Sequence, residues 1–383
     1  MSIRVSKFGG SSVADAGQMR KVRAIVEAEP TRRFVVPSAP GKRNADDIKI
    51  TDMLYRTNEA AAAGESIDPL FDQIAARYRE IAADLELGPD FNLEPELADV
   101  HDRIAAGAGA DYAASRGEYL SGVILSKLLD RPLIDPATMI RFNAEGRFLA
   151  EETQAAVAER LGREEAGIIP GFYGALPDGA IKTFSRGGSD VTGAIVARGV
   201  SASVYENWTD VSGLLMTDPR IVDSPRTIEE LTYRELRELA YMGATVLHEE
   251  AIFPVREVGI PVHIRNTNAP ESAGTRISRG GEESPPTNRI TGIAGRKDFT
   301  IIARERTLMN GGIGFGGRLL GVLEKHDIAW EHIPSGIDRL SIVLKSDALA
   351  GRLDALVDDI RSECRPRRCS RRVNSHRPKC SRC

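Results

Sequence analysis

The chain has 383 residues, 42% of them hydrophobic, enough to bury a substantial core shared between two or more domains. No run approaches 18 apolar residues, and residues 1–15 carry charges where a secretory signal would be apolar, so the expectation is a soluble cytoplasmic protein. The net charge of −4 conceals two unlike parts: residues 364–383 hold eight Lys or Arg, no acid and all four cysteines, which leaves residues 1–363 at −12 and free of cysteine. An acidic, cysteine-free body fits a cytosolic enzyme and speaks against a nucleic-acid surface.

In chain order, Ile3 and Val5 mark a short strand running to Lys7. Gly9, Gly10, Ser11 and Ser12 then turn it into a helix with Met19, Val22, Ile25 and Val26 on one face. A strand, a glycine turn with hydroxyls and a helix make a phosphate cradle, in which Lys7 is a point charge for a transferring phosphoryl group. It is not a Walker A loop, since G-x-x-x-x-G-K-[ST] occurs nowhere in the chain. RFVVPSA (33–39) reads as a buried strand, 67–85 and 119–129 as helices, and AGIIPGFYG and AIKTF as strands. Strands alternating with helices predict an α/β fold with a mostly parallel sheet covered on both faces. Ligand groups then gather beyond the strand C-terminal ends, where Lys7, Ser38 and Asp210 are expected.

Residues 183–220 carry the densest chemistry. Arg186, Ser189 and Asp190 stand among glycines at the mouth of a helix (VTGAIVARG), and the strand SVYENW opens into Thr209 and Asp210, with Asp218, Pro219 and Arg220 close behind. Glycines allow close backbone approach to a phosphate, a helix N-terminus offers N–H groups and a favourable dipole, and an Asp can hold Mg²⁺, a ribose or a substrate amine. The combination predicts a nucleotide beside a small charged substrate.

Polar segments rich in Pro and Gly at 266–275 and 278–289 mark a domain boundary. Beyond it the pattern is strand (291–305), helix (317–326), strand (327–334), a Ser335-Gly336 turn, strand (338–345) and helix (348–363), a β-α-β-β-α order that suits a ferredoxin-like module. GIGFGG (312–317) formally satisfies G-x-G-x-x-G, but its glycines do not follow the strand directly and a hairpin comes next, which disfavours a dinucleotide site. In the tail, Cys364, Cys369, Cys380, Cys383 and His376 have spacings that invite zinc. With Val373 the only apolar residue there, a disordered basic tail from a shifted reading frame or a truncated gene is the expectation, and no dedicated metal ligand is assigned.

KFGGSSV (7–13), VVPSAPGKR (35–43), SRGEYLSGVILSKLL (115–129), PGFYG (170–174), FSRGGSD (184–190), TDVSGLLMTDPRIV (209–222), LTYRELRELAYMGATVLHEEAI (231–252) and IRNTNAPESAGTRI (264–277) occur in the order of a known family. On these motifs the chain resembles the aspartate kinases of the amino-acid kinase superfamily, departing at Ser11, at Pro37 and at the C-terminus. The resemblance implies a three-layer αβα sandwich over 1–278, and over 290–363 an effector-binding ACT module whose usual second copy is replaced by 364–383. It implies ATP-dependent phosphorylation of the aspartate β-carboxylate, with Mg²⁺ arriving on the nucleotide.

By the same resemblance Arg186 forks the substrate α-carboxylate, Glu118 takes the α-ammonium, and Ser38 and Thr51 supply hydroxyls. Lys7 and the N–H groups of Gly9, Gly10 and Ser11 hold the phosphoryl with Ser189 and Asp190 opposite, Lys7 and Asp190 being the catalytic pair. Thr209, Asp210, Asp218 and Arg220 seat the nucleotide, with Phe8 counted among its contacts. Feedback by lysine or threonine and a homodimer paired through the ACT module are also implied. The competing readings are another amino-acid kinase, such as a glutamate 5-kinase, and a non-catalytic effector-binding remnant.

Overall fold

Strand β1 (Arg4–Phe8) lies inside the larger sheet, paired on one side with β2 (Arg32–Pro37) and on the other with a strand some 200 residues later. The computed structural model describes residues 2–185, 187–241, 249–280, 290–305, 314–364, 368–372 and 381–382. The chain forms two compact units, which divide after Ile293.

In the first unit β1 leads into α1 (Ala16–Glu27), and β2 is followed by four helices: α2 (Ile50–Ala62), α3 (Asp68–Asp84), α4 (Glu94–Ala105) and α5 (Ala110–Leu129). Next come α6 (Ala150–Leu161), β3 (Gly167–Ile168), a hairpin of β4 (Tyr173–Ala175) and β5 (Ile181–Thr183), α7 (Gly188–Gly199) and β6 (Val204–Thr209). The unit closes with β7 (Glu230–Thr232), α8 (Tyr233–Tyr241), α9 (Phe253–Val258), β8 (Val262–Asn266) and β9 (Thr275–Ser278). The sheet order is β3-β2-β1-β6-β8-β9-β7, parallel throughout except between β8 and β9. The mostly parallel sheet expected from the alternating pattern is therefore present.

Two helical layers cover it. On one face α1, α3, α4 and α5 bury Met19, Val22, Ile74, Tyr78, Ile104, Leu120 and Ile124 in a single core with Phe8, Val35 and Trp208 of the sheet. On the other face α7 packs on β1, β2 and β6, with α6 and α9 beside it. Both faces being dry, β1 and β2 read as near-continuous buried runs. Buried within this sheet is a complete ion pair. Glu206 of β6, fully buried, accepts from Arg32 Nε at 2.7 Å, Ser6 Oγ at 2.9 Å, Trp208 Nε1 at 3.0 Å and Arg4 at 3.2 Å. Burial is the largest influence on this carboxyl and pushes its pKa up, but the Arg32 hydrogen bond and charge, with Trp208 and Ser6, outweigh it and hold the group below its usual range.

The second unit contains β10 (Ile293–Ala294, at the junction), β11 (Phe299–Glu305), α10 (Phe315–Lys325), β12 (Arg339–Lys345), α11 (Leu353–Glu363), β13 (Arg368–Arg372) and β14 (Ser381–Arg382). Its core joins Ile302, Phe315, Leu319, Val322, Ile342, Leu344, Leu356 and Ile360. The strand expected over 327–334 is reduced to an isolated bridge of His332 with Val343, with Ser335 bridging Leu340 just beyond it, so pairing with β12 is intermittent and not a continuous ladder. The tail expected to be disordered departs from that reading in two ways. Cys364 is buried against the core, and the backbone of β13 adds an antiparallel edge to β11, from Ile301–Arg372 to Glu305–Arg368. An edge strand has unpaired backbone groups that any extended neighbour satisfies. Cys380, Cys383 and His376 lie outside the described residues, as do 312–313 of the glycine run; Gly314, at φ +77°, caps α10. No helix among the described residues is long and apolar enough to cross a membrane.

Candidate active site

Parallel register brings the site together. Lys7 lies level with Val36 on β2 and Asn207 on β6, so side chains from two strands meet the N-terminus of α7 at one end of the sheet. Lys7 Nζ is 2.6 Å from Asp190 Oδ1, and Asn207 Nδ2 donates to the same oxygen at 2.8 Å. The Tyr205 hydroxyl donates to the Asp190 carbonyl at 3.0 Å, fixing the first turn of α7 from the strand below. Lys7 is 8% exposed, so its cation is largely shielded from bulk water. At such a depth a charge acts through a lower effective dielectric than at the surface.

The glycine turn follows the sequence reading with one change. Gly9 donates its N–H to the Trp208 carbonyl at 2.9 Å, which removes it as a phosphate donor. Gly10 and Ser11 open the 3-10 turn Gly10–Val13, where backbone N–H groups have no partner within the turn. Gly10 has no room for a side chain: an added Cβ would lie 2.9 Å from the Ala39 carbonyl oxygen and 3.2 Å from Gly41 Cα. Phe8 does not reach the site. Its ring is fully buried and stacked on Trp208 with centroids 5.9 Å apart, and its carbonyl accepts from Ser38 N–H at 3.0 Å. Ser12, which the sequence reading left without a role, instead shares a 2.7 Å hydrogen bond with Thr267 at the end of β8.

Glu118 approaches from α5 and is 6% exposed. It accepts a hydrogen bond from Ser189 at 3.4 Å, and its second oxygen has no partner among the described residues. Burial pushes its pKa up to about 8, against the pull of the Ala39 backbone N–H, the Ser189 hydroxyl and the Arg116 charge. A buried acid raised in this way keeps one oxygen open to a further hydrogen bond. Close packing holds it in place. A Cβ on Gly117 would meet Ala39 Cβ at 2.6 Å, and one on Gly171 would meet Ser189 Cβ at 2.6 Å.

Ser38 and Thr51 are half-buried, at the end of β2 and in the first turn of α2. The helix begins at Ile50 with Lys49 as its cap. Thr209 ends β6 beside the turn and donates to Asp210 at 3.2 Å. Asp218 and Arg220 stand on the following loop. Arg220 donates to Asp218 through its backbone N–H at 2.8 Å and its guanidinium at 2.6 Å, a turn closed by its own ion pair. Arg186 lies outside the described residues, and the helix it precedes starts after Gly187 at φ +56°. Among the described residues no group of three or more His, Cys, Asp or Glu is arranged to hold a metal.

The amino acid kinase family model matches residues 2–266. Aspartokinase 3 of Bacillus subtilis is 39% identical over 371 residues, covering 93% of this chain and 80% of its own. The chain belongs to the aspartate kinases. The crystal structure of aspartate kinase from Clostridium acetobutylicum superposes with a TM-score of 0.89 at 46% identity, over 97% of this chain and 84% of that one. Aspartokinase III of Escherichia coli matches in two states. The TM-score is 0.72 for its complex with lysine and aspartate and 0.68 for its complex with aspartate and ADP, at 27% and 28% identity over 99% of this chain and 85% of the relative. In this chain the cluster of Lys7, Asp190 and Asn207 stands at the end of the sheet within an αβα frame. Asn207 was not singled out from sequence. A buried amide inside the apolar strand VYENW was the available signal, and only the register with Lys7 gives it meaning.

Proposed function

We propose that the site transfers the γ-phosphoryl group of ATP to the β-carboxylate of L-aspartate, giving 4-phospho-L-aspartate and ADP. The observation that carries this reading is the pairing of a buried, half-unpartnered Glu118 with the Lys7–Asp190–Asn207 cluster through the adjacent residues Ser189 and Asp190. Glu118 receives the α-ammonium, and Arg186 the α-carboxylate, where a planar fork suits a carboxylate better than a point charge. Held at its α-end, the substrate presents its β-carboxylate, which is already ionised near pH 7 and needs no general base. A carboxylate oxygen forms the new bond to phosphorus as the bond to the leaving ADP oxygen breaks, in line.

Lys7 offsets charge on the equatorial phosphoryl oxygens, and Asp190 with Asn207 fixes where the ammonium of Lys7 stands. Ser38 and Thr51 flank the substrate, while Thr209, Asp210, Asp218 and Arg220 belong to the nucleotide side. Mg²⁺ arriving with the nucleotide would offset charge on its phosphates and keep most of its waters. The lysine complex of the E. coli relative supports a small amino-acid effector for this chain as well, and the second unit is the place we assign to it. A homodimer paired through that unit is the corresponding assembly.

A hydroxamate assay with ATP and either aspartate or glutamate tests the function, with lysine and threonine added in separate arms. Aspartyl hydroxamate formed in preference to the glutamyl product is expected. Equal products, or none, would reject the assignment.

A further inference from the structure

Arg77 lies on α3, outside the residues so far given a role, and its side chain is 5% exposed. Its Nη2 donates to two carbonyls, Ala14 at 2.9 Å and Gly41 at 2.8 Å, and its Nη1 to Asp47 Oδ2 at 2.7 Å. Ala14 ends the turn that opens with Gly10 and Ser11. Gly41 belongs to the loop running from Ser38 towards Thr51. The two segments also touch directly, through Gly41 N–H to the Gly10 carbonyl at 2.9 Å and Ser38 N–H to the Phe8 carbonyl at 3.0 Å. The next residue on the helix, Tyr78, donates to the Gly117 carbonyl at 2.7 Å, one residue before Glu118. A single helix therefore touches the phosphate turn, the substrate loop and the helix that carries the ammonium receptor.

We propose that Arg77 is a positioning residue for phosphoryl transfer: its guanidinium sets the spacing between the phosphate turn and the substrate loop, and so the distance between donor and acceptor. Three acceptors around one planar group define that spacing in a way no single hydrogen bond does, since a shift of either loop breaks a contact to a group that cannot bend. Reaction in line is sensitive to such shifts, and a displacement of about 1 Å lowers the rate on the order of a hundredfold. Asp47 is not left unpaired without Arg77, because Arg43 also donates to it through Nε at 3.0 Å and through its backbone N–H at 3.0 Å. Removing the Arg77 cation thus leaves no isolated buried carboxylate, and the fold should survive the change.

The inference rests on the phosphoryl-transfer reading, and the experiment separates the two. Arg77→Met and Arg77→Lys are compared with wild type in kcat, in KM for ATP and aspartate, in thermal midpoint and in amide exchange resolved by segment. For Arg77→Met the expected result is a kcat loss of at least about tenfold with both KM values changed less than about threefold, together with faster exchange confined to 9–14 and 38–49. Arg77→Lys, which cannot span three acceptors, should recover only part of kcat. The proposal is overturned by an Arg77→Met kcat within about twofold of wild type, or by a loss that follows the folded fraction with exchange raised evenly across residues 2–280. If the Met variant does not fold, full kcat in Arg77→Lys overturns it equally. Wild-type protein that never phosphorylates aspartate would sink the functional reading instead, while the exchange comparison would still report the coupling of the loops.

Discussion

Glu118 offers a sharp test because the fold holds it against its own ionisation. In an unfolded chain its pKa is 4.5, and in the folded protein burial raises it to about 8. Between these values the folded state keeps a proton that the unfolded state has lost, so stability falls as pH rises from about 4.5 to about 8. At pH 7 the accumulated penalty is on the order of 3 kcal/mol. Glu118→Gln replaces the protonated acid with a neutral group of the same shape, which can still accept from Ser189. The variant should match wild type near pH 4.5 and become more stable by about 3 kcal/mol at pH 7. Urea unfolding read by Trp208 fluorescence, in a Trp330→Phe background to silence the exposed second tryptophan, measures the difference. The same variant should lose aspartate binding, a gain in stability traded against function. In wild type, aspartate affinity should rise about tenfold from pH 6 to 7 and about fivefold from 7 to 8, with close to one proton released per ligand in calorimetry at pH 7. A pH-independent stability difference, or pH-independent affinity across that range, would refute the reasoning.

Glu206 should behave in the opposite sense. Its pKa is lowered in the fold, so Glu206→Gln should cost about 3–5 kcal/mol at neutral pH, and the difference should shrink as acid protonates the wild-type group; urea midpoints across pH would show it. Lys7→Ala should leave the far-UV spectrum near wild type, lower the thermal midpoint because Asp190 loses its ion-pair partner, and reduce turnover at least about a hundredfold at temperatures where the variant is folded, so near-normal turnover would remove Lys7 from the chemistry. Gly10→Ala pushes a methyl against the backbone of Ala39 and Gly41 and should lower stability by about 1–3 kcal/mol with loss of activity, checked by calorimetric melting and the hydroxamate assay.

Much of the catalytic frame was legible because its signals are local. The KFGGSS turn, the helix after RGGSD and the strand ending at Thr209 each announce themselves within a dozen residues, and each stands where the pattern put it. What escaped depends on partners far away in the chain. Asn207 matters through its register with Lys7, and Arg77 through carbonyls 63 and 36 residues distant, neither of which leaves a periodic trace. Helices α4 and α6 went unread, their polar composition masking the few residues that bury, such as Leu97, Val100, Ile104, Val157 and Leu161. Phe8 was taken as a ligand contact because of its neighbours in the motif, whereas strand alternation sends it to the opposite face from Lys7, into the core. The strand predicted at 327–334 had the right composition but only intermittent pairing, since composition reports compatibility with a sheet and not the presence of a partner in register.

The place of β1 inside the sheet has a consequence for biosynthesis. Arg4 pairs with Val204, so after β1 is made about 200 further residues must follow before its second neighbour exists. At a synthesis rate of roughly 5–20 residues per second, that interval is on the order of 10–40 s. During it the β6-facing side of β1 has no strand to pair with, and the Lys7–Asp190 contact cannot form until α7 has emerged. The nascent chain is thus a natural client for chaperones that shield exposed strands, and slowing translation between residues 40 and 200 should raise its aggregation more than slowing it beyond residue 280.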